Sequence, residues 1–277
     1  MSDFREPEGV TIVPQRRPDP LVRSISVSDI VEALASGMRD FQAAPLYGLV
    51  LGGLYAVGGM AIVACVMGIG WYYLAYPLAA GFALIGPFAA VGLYEVSRRR
   101  AAGAPLSWNA ITSTVIAQGG RELGWMAFVT LFIFIVWMYQ ARLLVALFLG
   151  LHATASFRDF IVLVTTTPEG IIFLMVGNAV GAVLSLILFS LTVVSFPLLL
   201  DRDVDFVTAM ITSVRAVTLS PLPLISWAFI IVIELMLASL PFFLGLVVVL
   251  PVLGHATWHL YTRIVVQAPA EAALRPA

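Results

Sequence analysis

The chain has 277 residues, 61% of them hydrophobic and only 11% charged, with a net charge of −1. A water-soluble domain carries roughly 25% charged residues, so this composition excludes an ordinary soluble protein, and the balanced charge offers no basic surface for nucleic acid. Cys65 is the only cysteine, which excludes an intrachain disulfide.

In chain order, the first segment is polar and holds Pro7, Pro14, Pro18 and Pro20. It lacks the basic start, apolar centre and cleavage site of a secretory signal. Residues 1–25 read as a disordered tail. A bilayer core about 30 Å thick takes about 20 apolar residues per helix. On that measure the spans are Leu46–Met67, Trp71–Tyr94, Leu123–Ala141, Gly170–Leu200, Leu222–Leu240 and Phe242–Tyr261. Their runs are continuous rather than alternating, which predicts helices and not a barrel. Between the third and fourth, Ser156–Thr167 sets Phe157, Phe160, Ile161 and Val164 at helical spacing, as in a helix lying flat on the interface. Residues 266–277 read as a second tail, leaving 26–265 as the membrane domain. The fold class is an all-α membrane protein with about six transmembrane helices.

All 15 basic residues are arginine. Arg5, Arg16, Arg17, Arg23 and Arg39 precede the first span; Arg98, Arg99, Arg100 and Arg121 separate the second from the third. Arg202 and Arg215 lie between the fourth and fifth, and Arg263 and Arg275 follow the sixth. Only Arg142 and Arg158 fall on the other side. Basic residues in short loops stay cytoplasmic, so a multi-pass inner-membrane protein with both termini cytoplasmic is expected.

Residues 29–46 and 205–222 align without gaps at an offset of 176. Asp29/Asp205, Val31/Val207, Ala33/Ala209, Arg39/Arg215, Pro45/Pro221 and Leu46/Leu222 are identical. Apolar positions at helical spacing make both segments amphipathic interfacial helices, with Arg39 and Arg215 at headgroup level. Each feeds through a proline into a hairpin. The exits correspond at an offset of 164: Pro87 to Pro251, Glu95 to His259 and Arg99 to Arg263. The last hairpin is therefore 12 residues shorter than the first. Ser107–Gln118 and Pro197 suggest a fainter middle copy, so three pseudo-repeated helix-plus-hairpin units are expected. They share one orientation, unlike the inverted repeats of many carriers.

Three motifs occur in order: GPFAAVGLYEVSRR over 86–99, SFPLLLDRD over 195–203 and LPVLGHATWHLY over 250–261. On these the chain, from about Ser28 to Val265, resembles the bacterial membrane family called domain of unknown function 2189. The resemblance implies a six-helix inner-membrane protein of Gram-negative bacteria and supplies no activity. Some members are labelled as a cytochrome c oxidase subunit. A haem–copper catalytic subunit needs several histidines on different helices, and this chain has only His152, His255 and His259.

Few residues point to chemistry. His255 and His259, four apart, with Glu95 at the matching depth of the first hairpin, form a candidate metal site; interior polar packing is the competing reading. Asp201-Arg-Asp203-Val-Asp205 opens like a calcium loop, but Phe206 and Thr212 stand where glycine and glutamate belong, so helix capping is expected instead. Glu234 is the one carboxylate well inside a span. An intramembrane charge demands a partner, and counting from the outer ends suggests Arg142 as an ion pair; a polar path with Asn178 is the functional alternative. Gly48-x-x-x-Gly52 and Gly177-x-x-x-Gly181 are expected to pack helices within the molecule. No catalytic set is in place, so no enzyme is expected, and no cofactor is called for. The partners implied are the lipid bilayer and either a membrane complex or a second copy of the chain. A non-enzymatic accessory or scaffold leads, ahead of a channel or carrier and a metal- or haem-binding protein.

Overall fold

The computed structural model describes residues 20–69, 75–119, 122–150 and 157–266. The expected tails over 1–19 and 267–277, with Trp71, Arg121 and His152, lie outside them. A two-residue strand β1 (Leu21–Val22) is followed by α1 (Val27–Ala43), α2 (Pro45–Ile69), α3 (Ala75–Ala101), α4 (Trp108–Gly119) and α5 (Glu122–Phe148). Then come α6 (Phe157–Thr166), α7 (Pro168–Thr192), α8 (Ser195–Asp201), α9 (Phe206–Leu219), α10 (Pro221–Ser239), α11 (Leu246–Ile264) and β2 (Val265–Val266).

Local chemistry sets the boundaries. Asp29 reaches back to the Ser26 backbone N–H at 2.9 Å, the return half of a capping box. Asp205 caps α9 by accepting from Thr208 N at 2.9 Å. The two aspartates paired by sequence thus both serve helix starts, but Asp29 acts from inside the first turn. Pro45 and Pro221 each open a helix, where a missing N–H costs nothing. At the tip of the last hairpin, Phe242 and Phe243 have φ of 51° and 64°. That left-handed pair is strained for aromatic residues and accompanies the shortened turn.

α11 is the inner helix. Its buried residues run all round, from Leu246 through Trp258 to Ile264, and it packs against α1, α2, α3, α8 and α10. Small residues let the neighbours approach: a methyl group on Gly37 would lie 2.6 Å from Ala256 N, and one on Gly52 2.7 Å from Val247 O. The Gly48/Gly52 spacing therefore serves packing within the molecule, as expected. Around this centre α3 joins α5, and α5 joins α7 and α9. The main core is built from α1, α3, α8, α9 and α11 together with Leu224 and Trp227 of α10.

Four helical stretches are long and apolar enough to cross a membrane: Pro45–Gly68, Glu122–Phe148, Pro168–Asp201 and Pro221–Ser239. Only 6% of the apolar window of the second is buried within the protein, so its side chains face an apolar surrounding. The expectation of six apolar spans is thus met in part. α3 and α11, of 27 and 19 residues, stand where the other two were expected. α11 is wrapped by protein, so it needs no apolar exterior of its own.

Several expected boundaries shift. The tail ends earlier than residue 25, because Leu21 and Val22 pair antiparallel with Val266 and Val265. α3 continues through Arg98–Arg100, and α5 runs to Phe148, seven residues beyond Ala141. The fourth span breaks at Val193–Val194 before α8, and the sixth begins at Leu246 rather than Phe242. Between the third and fourth expected spans a ten-residue helix is present as α6.

The fold predicts that Gly37→Ala lowers thermal stability in detergent by about 1–3 kcal/mol, the usual range for overpacking. Gly53→Ala, where a methyl group meets nothing within 4 Å, should leave it unchanged or slightly raised. A paired melt of the two variants checks this.

Candidate functional site

The long helices meet at one end of the molecule in a layer of polar side chains. Ile25 N donates to Ser220 Oγ at 3.0 Å, joining the start of α10 to the segment before α1. Phe206 N donates to Glu122 Oε2 at 2.9 Å, tying the start of α5 to α9. Tyr261 Oη donates to Asp201 at 2.7 Å, tying the ends of α8 and α11. The β1–β2 pair brings both ends of the described chain to the same layer.

Asp40 is its centre. It falls on the buried stripe of α1 with Ile30, Ala33 and Gly37, where a carboxylate must find partners. Three donors converge on it: Ser97 Oγ at 2.6 Å, His259 Nε2 at 2.8 Å and Arg100 Nε at 2.9 Å. One interfacial helix is thereby fixed to both α3 and α11. The network also assigns protons. Ser97 spends its hydrogen on Asp40, so it accepts from His255 Nδ1 at 2.8 Å. That leaves His255 Nε2 as a buried ring nitrogen without a partner among the described residues. Burial opposes ionisation of Asp40, but the bonds from His259, Ser97 and Arg100 outweigh it and hold the carboxyl well below the usual carboxylate range.

Glu95 is fully buried one turn away. Arg98 Nε and Arg99 Nε each donate to it at 2.7 Å, and Thr114 Oγ1 of α4 adds a bond at 3.3 Å. Arg263 binds Asp29 at 3.1 Å and Glu32 at 2.9 Å. Beside them lies a cleft of about 300 Å³ lined by Arg23, Asp201, Arg202, Tyr261, Thr262, Val265 and Val266. Its arginines are engaged: Arg23 Nε donates to the Arg263 carbonyl and Arg202 to the Val266 carbonyl at 3.2 Å.

The structure distributes the expected metal ligands over separate partners. His255 holds Ser97, His259 holds Asp40, and Glu95 holds two arginines. No group of three or more metal-ligating side chains is gathered among the described residues. The suggested pairing of Glu234 with Arg142 is corrected as well. α10 packs on α1, α9 and α11, whereas α5 packs on α3, α4, α7, α8 and α9. The extra length of α5 also changes the depth. Arg142 is 20 residues beyond Glu122, and Glu234 is 13 beyond Pro221. At 1.5 Å per residue those are about 30 Å and about 20 Å along their helices. Glu234, Arg142 and Asn178 are all exposed, and the Asn178 amide donates to its own helix at Leu174 O, 2.7 Å away. Arg39 and Arg215 are exposed on α1 and α9.

Residues 74–201 match the family model described as predicted integral membrane protein, DUF2189. The matched stretch takes in the first sequence motif and residues 195–201 of the second, with Glu95, Ser97 and Arg100, and stops before the histidine motif of α11. With the apolar helices it makes this chain an all-α integral membrane protein. No curated protein matches the chain, and no solved structure does.

Asp40, Ser97 and Arg100 were not singled out as site residues by sequence, although for Asp40 the signal was there: a carboxylate at i+10 on the stripe begun by Ile30. Removing one partner of a buried charge costs about 3 kcal/mol or more. Asp40→Ala should lower stability by about that much, with Ser97→Ala costing less. Because the folded carboxyl titrates below its ordinary 3.8, its stabilisation is present above that value and is lost as pH falls through the folded one. The gap between wild type and Asp40→Asn in thermal melts should stay flat from pH 8 to 5 and narrow only in stronger acid.

Proposed function

We propose that the protein is a non-enzymatic accessory or scaffold of a membrane complex, crossing the inner membrane six times with both termini in the cytoplasm. One observation carries the reading: the buried carboxylates Asp40 and Glu95 are satisfied within the end layer, while the charges along the spanning helices, Glu234 and Arg142, are exposed. A charge turned toward lipid is costly, about 2.5–3.5 kcal/mol on the lenient insertion scale, and calls for a lateral partner. A channel or carrier would turn those groups inward.

The orientation has its own support. Arg23, Arg98, Arg99, Arg100, Arg202 and Arg263 all lie in or beside the layer that holds the β1–β2 pair, and the positive-inside rule favours that layer as the cytoplasmic one.

Purification in mild detergent at native expression, followed by intact-mass spectrometry, should recover the chain with a companion in fixed stoichiometry. Recovery as a lone monomer at every detergent concentration, together with solute flux in liposomes, would overturn the reading in favour of a carrier.

A further inference from the structure

The sequence pairs α1 with α9, and the structure gives the two helices the same division of faces. Each turns one side to the core: Ala33 and Gly37 on α1, and Ala209 and Ser213 on α9, are buried at matching positions of the repeat. The opposite side is open in both and is split along its length. One flank is apolar: Val31 and Met38 of α1 and Val207 and Val214 of α9 are exposed, again one repeat apart. At about 100° of turn per residue, each pair falls close to one line. Arg39 and Arg215 stand about a quarter-turn to the side of that line, and both are exposed. Arg39 donates to Ser36 Oγ at 2.8 Å. Neither arginine has a carboxylate partner among the described residues, whereas Arg98, Arg99, Arg100 and Arg263 all have one. Glu32, on the open side of α1, is held by Arg263 at 2.9 Å. Aromatic rings stand beside both helices. Trp125 is exposed and stacks at 5.5 Å on Phe206, the first residue of α9. Just past α1, the rings of Tyr47 and Trp108 are centred 4.6 Å apart. Tryptophan and tyrosine collect at the headgroup level of bilayers.

We propose that α1 and α9 each bind an anionic phospholipid surface through this shared face, the apolar flank lying at the acyl boundary and Arg39 and Arg215 each holding a lipid phosphate. A lipid surface fits because it offers hydrocarbon and phosphate side by side, which is what a helix with an apolar flank and a bordering arginine takes. The lipid is anionic because two cations without carboxylate partners are drawn to negative headgroups beyond what a neutral surface provides. Lipid surrounds the chain and can meet two helices in the same way, which one protein groove cannot. Beyond each helix the surface stays apolar: Leu46 and Leu222, also one repeat apart, are exposed where the spanning helices α2 and α10 begin. The inference needs no companion protein and so stands apart from the accessory reading.

The test uses the full chain in phosphatidylcholine vesicles, with a fluorophore on Val31→Cys or Val207→Cys in a Cys65→Ala background, since Cys65 is the only cysteine. The quencher is a trace of nitroxide-labelled phosphatidylglycerol or nitroxide-labelled phosphatidylcholine. Both lipids should quench at both positions. The anionic one should be enriched about fivefold at each, the attraction of a single arginine near a charged surface. Arg39→Gln should remove the enrichment at position 31 alone and Arg215→Gln at position 207 alone, while Arg39→Lys and Arg215→Lys keep it. Absence of quenching would mean that water or a second copy of the chain covers the face, and would overturn the proposal. So would equal quenching by the two lipids, or an enrichment that survives the glutamine changes. Loss of the enrichment when inorganic phosphate replaces chloride at constant ionic strength would mark a site for free phosphate and overturn the lipid assignment. Should a glutamine variant fail to fold, the comparison of the two lipids with both arginines in place decides alone.

Discussion

Asp40 is the point at which the two environments of this protein are joined. The helices on the outside surrender their polar surface to an apolar surrounding, so the polar groups that remain must satisfy one another. The buried carboxylates do so in one terminal layer, where Asp40 ties α1 to α3 and α11. A single carboxylate takes hydrogens from Ser97 and Arg100 on α3 and from His259 on α11. Without it, α1 would present a stripe of apolar residues to α11 but nothing would fix its position along that helix. The arginines do related work at the rim, with Glu95, Asp29 and Glu32 absorbing charges that would otherwise crowd together.

This arrangement explains the division of labour between helices. α11 is buried on nearly all sides and can hold histidines, a tryptophan and a tyrosine that lipid would not accommodate. α2, α5, α7 and α10 carry the lipid-facing surface and are correspondingly apolar. Glycine on α1 and α2 lets backbones approach α11 where side chains would collide.

Much of the fold was legible because lipid imposes a simple rule on sequence. Long apolar runs located the helices, and Pro45 and Pro221 marked two helix starts to the residue. The aligned segments 29–46 and 205–222 located α1 and α9, whose ends at Ala43 and Leu219 coincide at the same offset. Helix ends were less legible, since Arg98–Arg100 and Arg142 read as loop residues yet continue their helices: arginine has a high helix propensity, and its long stem reaches from a helix to polar surroundings. The site was only half legible. His255 and His259 stood out by spacing, but spacing cannot reveal that each already has a partner on another helix. Glu95 matched His259 in the repeat, yet Arg98 and Arg99, three and four residues on, claim it first. Asp40 was hidden because its repeat counterpart is Ala216, so nothing in the alignment drew attention to it.

The central proposal is that the polar layer around Asp40, which gathers ends of α3, α5, α8, α10 and α11, faces the cytoplasm. It is tested most directly by side-specific labelling of single cysteines in a Cys65→Ala background. Ser24→Cys, Asn109→Cys and Thr262→Cys should react with a membrane-impermeant maleimide only in inverted vesicles. Gly150→Cys and Phe242→Cys should react only in intact spheroplasts. Labelling of Ser24→Cys and Gly150→Cys from the same side would contradict the account.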